Sequence, residues 1–255
     1  MKLIPAIDLM DGKCVRLIKG DFNKSKSFED NPVKQAELWQ TEGAASIHIV
    51  DLDAAKTGKP INDKYIKDIS KTINIPIQIG GGIRSEERIK QLFSYGIEKV
   101  IMGTSAIENR DLVCELTKKF PNRIIIGIDA NKGKVSTRGW LRQSNILALD
   151  LIKEFSNLKI SSFIVTDINT DGTLLGPNEE FISEILDITE TPVIASGGIG
   201  SLSDLISLIK FENKGLEGVI VGKALYEEKF DIKEANKILS PDRLSDYPNK
   251  KNLYT

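Results

Sequence analysis

IPIQIGGGIRS, at residues 75–85, recurs in altered form as TPVIASGGIGS, at residues 191–201. A proline, two glycines, an isoleucine and a serine match between the two stretches at a constant offset of 116 residues. Each stretch begins with an apolar run typical of a buried parallel strand. It continues through a glycine pair to a serine, which is a preferred helix N-cap. A strand, a glycine turn and a helix in this order form one unit of an α/β fold.

Units of this kind follow one another along the whole chain. Eight short runs rich in Val and Ile are expected to be parallel strands; they are 3–8, 46–51, 75–79, 99–102, 123–129, 161–166, 191–195 and 218–221. The segments between them begin at helix-capping residues such as Asn31, Ser85 and Asn178. Eight units in 255 residues, with no linker between them, predict a single (β/α)8 TIM barrel over residues 1–255. An open doubly wound sheet is the alternative.

Two further matches indicate that the barrel is a duplication. IPAIDLMDGK (4–13) aligns with IGIDANKGK (126–134), and KVIMGTSA (99–106) aligns with GVIVGKAL (218–225). Three matches in the same order, at nearly the same offset, are hard to attribute to chance. We therefore expect two half-barrels, at about 1–121 and 122–240, followed by a polar C-terminal tail at 241–255.

Composition excludes several classes of function. The chain has 35 Lys and Arg against 36 Asp and Glu, whereas a nucleic-acid or anionic-membrane binder normally has a basic excess. Two distant cysteines and one histidine cannot form a disulfide framework or a multi-histidine metal cluster. GGGIRS also lacks the spacing of a dinucleotide-binding turn. With no signal peptide and no apolar run long enough to span a membrane, the protein is expected to be soluble and cytoplasmic.

Glycines at the carboxyl ends of strands predict two phosphate sites. Glycine lets backbone N–H groups approach a phosphate, and barrels often build such sites from two adjacent loops. The pattern occurs in both halves, and the candidate residues are Gly81, Gly82, Gly103 and Thr104 in the first and Gly197, Gly198, Gly222 and Lys223 in the second. The alternative is that the glycines only form tight turns.

Two aspartates are the candidate catalytic residues. Asp8 and Asp129 each end the first strand of a predicted half-barrel. A carboxylate is costly inside a sheet but well placed at the barrel mouth, where catalytic groups gather. Duplication would place the two on opposite sides of the opening, where they could divide acid and base roles. The alternative is that each aspartate caps the loop that follows it.

Other candidates for substrate binding are supported by position alone. Asp51 ends the second strand, and Thr166 and Asp171 occupy the related place in the second half, although Asp171 could equally cap a turn. Trp140 could stack on a planar ring or simply pack against a helix. His48 lies three residues before Asp51, so strand alternation places the two on opposite faces, and we expect His48 to face the helices.

The segment that follows the first strand is unusually long. Residues 9–31 exceed the usual two to six residues of a βα loop and include Arg16 and Lys19. The segment mixes charges with few aromatic residues. We therefore expect residues 16–30 to form a lid that becomes ordered only when substrate binds.

Taken together, these motifs resemble one enzyme family of histidine biosynthesis, the phosphoribosylformimino-5-aminoimidazole carboxamide ribotide isomerases. The resemblance covers about residues 1–240 and is carried by IPAIDLMDGKCVRL, VDLDAAKTGK, IQIGGGIRS, GIDANKGKV with TRGW, TDINTDGTLLGPN and ASGGIGSL. It implies an Amadori rearrangement of a small substrate with a phosphate at each end. One departure from the family pattern is Gly200, where another small or polar residue is frequent.

The resemblance also implies roles for individual residues. Asp8 would be the general base and Asp129 the general acid. Thr166 and Asp171 would lie near the reacting ribose. Arg16 would belong to a closing loop, and Trp140 would pack on the substrate ring. The reaction needs no cofactor, because the iminium intermediate is itself the electron sink.

Two other functions remain possible from the sequence. The cyclase subunit of imidazole glycerol phosphate synthase has a similar duplicated barrel, but that family typically reads CLDV where this chain reads AIDL, and has a lysine in the loop where this chain has Arg16. A non-catalytic phosphate-binding barrel is the second, and the presence of both aspartates argues against it. We expect a monomer, because the polar tail offers no evident interface, and the balanced charge predicts no nucleic-acid or membrane partner.

Overall fold

The computed structural model describes residues 1–18, 21–140 and 142–241. Its strands are β1 (Lys2–Met10), β2 (Lys13–Ile18), β3 (Asp21–Glu29), β4 (Ile47–Asp51), β5 (Ile77–Gly80), β6 (Lys99–Met102), β7 (Ile124–Asn131), β8 (Lys134–Thr137), β9 (Arg142–Leu147), β10 (Ser162–Asp167), β11 (Val193–Ser196) and β12 (Leu216–Val221). Its helices are α1 (Pro32–Thr41), α2 (Leu52–Thr57), α3 (Asp63–Thr72), α4 (Glu86–Ser94), α5 (Thr104–Glu108), α6 (Arg110–Lys119), α7 (Ala148–Phe155), α8 (Glu179–Leu186), α9 (Leu202–Leu208), α10 (Lys223–Tyr226) and α11 (Ile232–Leu239), with a 3-10 helix at Ile209–Lys214.

Eight of these strands form a closed parallel barrel. They pair in the order β1, β4, β5, β6, β7, β10, β11 and β12, and β12 returns to pair with β1. Helices connect successive strands, so the fold is the TIM barrel that the alternating pattern predicts. Each predicted strand run overlaps one barrel strand. Because β7 is the fifth strand around a ring of eight, it lies opposite β1.

The long segment after the first strand folds differently from the expected loop. The chain turns at Asp11 and Gly12, and β2 pairs antiparallel with both β1 and β3. Backbone pairing with the extended end of β1 therefore gives regular structure to much of a segment that the sequence marked only as a long loop. Lys19 and Gly20 lie outside the described residues, and ordering on substrate binding remains a prediction.

A related extension follows β7 on the opposite side of the barrel. There β8 pairs antiparallel with β7, and β9 pairs with β8. Asp8 is in register with Val15 in the first extension, and Asp129 is in register with Ser136 in the second. This likeness supports the proposed division into two half-barrels, which remains a prediction. Residues 242–255 of the expected polar tail lie outside the described part of the chain.

Capping side chains begin several of the barrel helices. Asn31 accepts hydrogen bonds from the backbone N–H groups of the first turn of α1, and Pro32 occupies the first helical position, where its missing N–H costs nothing. Ser85 and Asn178 cap α4 and α8 in the same way, as their positions in the sequence predict. These caps end the loops at the carboxyl ends of the strands and give each loop a defined length.

Apolar side chains fill the space on both sides of the barrel wall. A small cluster lies inside the barrel and consists of Ile4, Ala6, Ile125, Ile164, Ile194 and Ile220. A much larger cluster lies between the strands and the helices, and its largest fully buried side chains include Phe155 and Phe163. In the described ranges, none of the helices has the length and hydropathy of a membrane span.

One glycine of the repeated motif is required by the packing of the loops themselves. Gly198 has φ +86°, and a Cβ atom there would lie 2.1 Å from the carbonyl oxygen of Gly176. No side chain fits at that distance from a backbone oxygen. Gly133 has a similar φ of +76°, but a Cβ atom at that position would meet nothing within 4 Å.

We expect Gly198→Ala to destabilise the fold far more than Gly133→Ala. Both variants place alanine in left-handed backbone conformation, which costs about 1–2 kcal/mol. Only Gly198→Ala adds a backbone collision, and we expect its total loss to exceed about 3 kcal/mol. Urea unfolding of both variants measures the difference. Equal losses would show that the loop at Gly176 moves aside without cost.

Candidate active site

A cavity of about 280 Å³ lies at the carboxyl ends of the barrel strands. With the exception of Asp51, every candidate site residue of the sequence lines it: Asp8, Arg16, Gly81, Gly82, Gly103, Thr104, Asp129, Trp140, Thr166, Asp171, Gly197, Gly198, Gly222 and Lys223. The cavity is therefore the place where the two halves of the chain bring their polar residues together.

Asp8 forms an ion pair inside the barrel. A terminal nitrogen of Arg16, Nη1, donates to Asp8 Oδ2 at 2.7 Å, and Nη2 donates to the carbonyl oxygen of Ala6 at 3.1 Å. Burial raises the pKa of Asp8, and the Arg16 guanidinium opposes that rise. The pairing of β2 with β1 brings Arg16 back over the strand that carries Asp8.

Asp129 lies across the cavity in different surroundings. Its neighbours are the side chains of Trp140 and Thr166, which are neutral hydrogen-bond donors. Burial raises the pKa of Asp129, and the hydrogen bonds from these two donors oppose the rise. A carboxyl group in this environment favours its protonated form more than one paired with arginine does.

Asp171 is a third carboxyl group at the mouth. Burial raises its pKa to about 6, assisted by the negative charges of Asp8 and Asp129 and opposed by Arg16 and Lys223. Lys223 donates to the carbonyl oxygen of Gly172 at 2.8 Å, which ties α10 to the loop that carries Asp171. Asp171 therefore belongs to the charged group at the mouth of the cavity.

Asp51 lies on the outer face of its strand instead of in the cavity. It pairs in register with Leu9, and its Oδ1 accepts from Ala54 N at 3.0 Å and from Asn62 Nδ2 at 2.8 Å. The carboxylate caps α2 and holds the start of α3. We therefore leave Asp51 out of the proposed substrate contacts.

His48 faces the barrel interior, so the expectation that it faces the helices is wrong. Strand alternation separates His48 from Asp51 correctly, but it is Asp51 that points outward. Residues in register on paired strands point to the same side of a sheet. His48 is in register with Ala6, which points inward, so His48 also points inward. Its Nδ1 lies 3.1 Å from Gln78 Nε2, and its side chain lines the cavity floor.

Sequence reasoning also missed Arg84 at the cavity rim. Arg84 follows the glycines of the first repeated motif, lines the cavity, and approaches the carbonyl oxygen of Ala55 at 3.5 Å. Its position one residue after GGGI was the available signal. A guanidinium beside a glycine loop is well suited to bind a phosphate.

The glycine loops lie on two opposite sides of the cavity. The loops after β5 and β6 lie on one side, between β1 and β7, and the loops after β11 and β12 lie on the other. A line between the two loop pairs therefore crosses the line between Asp8 and Asp129. A ligand held at both ends by these loops would pass between the two aspartates.

Comparison with known proteins identifies the family of the chain. Residues 2–231 match the family described as histidine biosynthesis protein. The chain belongs to the histidine biosynthesis protein family. A relative from Prochlorococcus marinus strain MIT 9301, named 1-(5-phosphoribosyl)-5-((5-phosphoribosylamino)methylideneamino)imidazole-4-carboxamide isomerase, is 73% identical over 254 residues, covering 100% of both chains. An equally named relative from strain NATL2A is 55% identical over 100% of this chain and 99% of its own.

The family match spans the whole of the candidate site. Every residue that lines the cavity, from Ala6 to Lys223, lies within the 2–231 range that matches the histidine biosynthesis protein family. Within the described part of the chain, no three His, Cys, Asp or Glu side chains form a group that could hold a metal ion.

We expect the imidazole of His48 to stay neutral between pH 5 and 8. Burial, with a smaller contribution from the positive charge of Arg16, lowers its pKa to about 3. Because this is the only histidine, the ring-proton signals in an NMR titration belong to His48 alone. These signals should not shift over that range, and His48→Gln should abolish them. A midpoint near 6.5, the ordinary value for histidine, would mean that the ring is hydrated.

Proposed function

We propose that this chain is an aldose–ketose isomerase of L-histidine biosynthesis. Its substrate would be N'-((5'-phosphoribosyl)formimino)-5-aminoimidazole-4-carboxamide ribonucleotide, and its product the phosphoribulosyl isomer. Relatives that share 73% of their residues with the chain over their full length are named as carboxamide isomerases acting on a compound with two phosphoribosyl groups. A cyclase or a non-catalytic barrel is less favoured, because these relatives are named as isomerases.

The observation that carries the proposal is the unlike environment of two carboxyl groups in one cavity. Asp8 is paired with Arg16 at 2.7 Å, which favours its charged form. Asp129 is buried among neutral donors, so it more readily holds a proton. A base that is charged and an acid that is protonated, facing each other, are what a proton-transfer isomerisation requires.

Phosphate binding would place the substrate between these two groups. Backbone N–H groups of the glycine loops on opposite sides of the cavity would each take one phosphate. Arg84 lies beside the first loop pair, and Arg16 and Lys223 lie beside the second. These cations would add charge-assisted hydrogen bonds at both ends of the substrate.

The reaction would proceed by proton transfers alone. Asp129 would protonate the furanose ring oxygen, and the ring would open as the C1′–O bond breaks to give a Schiff base. Asp8 would then remove the proton from C2′, and the electron pair of that C–H bond would neutralise the iminium to form an enolamine. Tautomerisation of the enolamine gives the ketone, with no change in the total number of electrons and no cofactor.

The remaining cavity residues would orient the ribose and the ring system. Thr166 lies beside Asp129, and Asp171 interacts electrostatically with both Asp8 and Asp129. Trp140 would cover the substrate from the extension after β7. We also propose that the protein acts as a cytoplasmic monomer, with no nucleic-acid or membrane partner.

We expect Asp8→Asn and Asp129→Asn each to lower kcat about 10²–10⁴-fold, the usual contribution of a general acid or base. The asparagine side chain keeps the shape but neither holds nor removes the proton. The assay is incubation with the proposed substrate, followed by chromatographic separation of the two isomers and mass spectrometry. Asp111→Asn, at an exposed aspartate of α6, is the matched control and should retain full activity. Retention of more than a tenth of kcat by either variant would remove that aspartate from the mechanism.

We expect crystals grown in sulfate to contain two bound anions at the mouth. One should lie at Gly81, Gly82 and Gly103, and the other at Gly197, Gly198 and Gly222. Crystals grown in chloride alone are the control. Density at one loop pair only would mean that the other pair serves the fold alone, and anions elsewhere would overturn the assignment of both phosphate sites.

A further inference from the structure

We propose that Tyr226 is a positioning residue, whose ring holds the guanidinium of Arg16 in hydrogen-bonding contact with Asp8. The inference deepens the proposed function, because it rests on Asp8 acting as the base of the isomerisation. Tyr226 touches neither Asp8 nor the proposed substrate. It would act through Arg16, whose position determines how much positive charge Asp8 experiences.

Three structural elements surround the guanidinium of Arg16. On β1, the Asp8 carboxylate and the carbonyl oxygen of Ala6 accept hydrogen bonds from its two terminal nitrogens. From the end of β12, Gly222 leaves room for it, because a Cβ atom there would lie 1.1 Å from Nη2. From α10, the ring of Tyr226 lies with its centroid 5.8 Å from Cζ, at the outer limit of a cation–π contact.

The hydrogen bonds leave one edge of the guanidinium without support. Arg16 Nε is buried and has no hydrogen-bond partner among the described residues. Two hydrogen bonds on one side allow the group to pivot toward the open cavity. The ring of Tyr226 is the contact that opposes this movement. At Gly222, any larger residue would push the guanidinium out of its position.

Tyr226 is itself held from several directions, so it can serve as a support. Its ring centroid lies 5.0 Å from that of Trp39 on α1 and 4.9 Å from that of Phe28 on β3. Its hydroxyl lies beside the thiol of Cys14 on β2. Burial raises the pKa of Cys14 to about 12 and that of Tyr226 above its ordinary value, so both remain neutral. Neither group therefore competes with Asp8 as an anion for Arg16.

The other charged groups near Asp8 make the position of Arg16 consequential. Asp129 on β7, Asp171 after β10 and Lys223 on α10 line the same cavity as Asp8. His48 on β4 also lines it but is neutral. Burial disfavours a negative charge on Asp8, and the nearby carboxylate of Asp171 does the same. Arg16 donates directly to Asp8 and offsets both effects. Movement of Arg16 would leave Asp8 protonated over a wider range of pH.

The principal test is the pH profile of kcat/KM for Tyr226→Leu. Without the ring, Arg16 should lose its contact with Asp8, and the acidic limb of the profile should move to higher pH by about one unit. A neighbouring opposite charge shifts the pKa of a carboxyl group by about this amount. At pH values below the acidic limb, kcat/KM of the variant would be up to about tenfold lower than that of the wild type. On the alkaline plateau the two values would be equal. Tyr226→Phe keeps the ring and should restore the wild-type profile.

A matched control is available elsewhere in the barrel. Phe93 on α4 lies beneath the guanidinium of Arg123, 3.5 Å from Cζ, and its ring centroid is 5.3 Å from that of Phe120. Phe93→Leu therefore removes a cation–π contact and an aromatic contact far from Asp8. It should lower stability without moving the acidic limb.

A second measurement does not depend on turnover. The side-chain carboxyl carbon of Asp8, assigned with Asp8→Asn, can be titrated by NMR in the wild type and in Tyr226→Leu. A raised midpoint in the variant supports the proposal even if the wild type proves inactive on the proposed substrate, which would refute the function alone. If Tyr226→Leu does not fold, Gly222→Ala displaces Arg16 from the opposite side and should raise the same midpoint.

Three outcomes would overturn the proposal. Tyr226→Leu could lower kcat/KM by one factor at every pH, which is the signature of a structural role. The Asp8 midpoint could be equal in the wild type and in the folded variant. Tyr226→Phe could shift the limb as much as Tyr226→Leu, which would assign the effect to the hydroxyl instead of the ring.

Discussion

Closure of the barrel by pairing of β12 with β1 is the constraint on which the site depends. The register places Pro5 beside Val221 on one side of β1 and Asp8 beside Val50 on the other. In a closed barrel, alternate residues of every strand must point into one enclosed space. Closure therefore directs Asp8 and Asp129 into a common cavity, although they lie 121 residues apart in the chain.

Electrostatics inside this space follow from the extensions that leave β1 and β7. The first extension returns Arg16 to Asp8, whereas the second brings Trp140 to Asp129, which also accepts from Thr166 on β10. Two carboxylates in equivalent places of the barrel thus acquire different surroundings. The unlike surroundings of Asp8 and Asp129 are therefore set by Arg16 and Trp140 of the extensions and by Thr166 on β10.

Some of the glycines serve the fold as well as the site. Gly198 is required by its approach to Gly176, and Gly222 leaves the room that Arg16 occupies. The repeated pattern is therefore compatible with both of its interpretations, tight turns and phosphate binding. Which of the two applies depends on whether the N–H groups of these loops face the cavity with enough positive charge nearby, and Arg84 and Lys223 provide such charge.

The sequence by itself determined the strand order, the capped helices and the matching positions of Asp8 and Asp129, because local periodicity and internal repetition are properties of the chain alone. It could not decide which face of a strand points inward. For His48 and Asp51, alternation separated the two side chains correctly, but only the register with β1 showed that His48 lies inside. The contacts of Arg16 with Asp8, Gly222 and Tyr226 were likewise decided by tertiary structure, because they join parts of the chain up to 210 residues apart whose meeting depends on closure of the barrel.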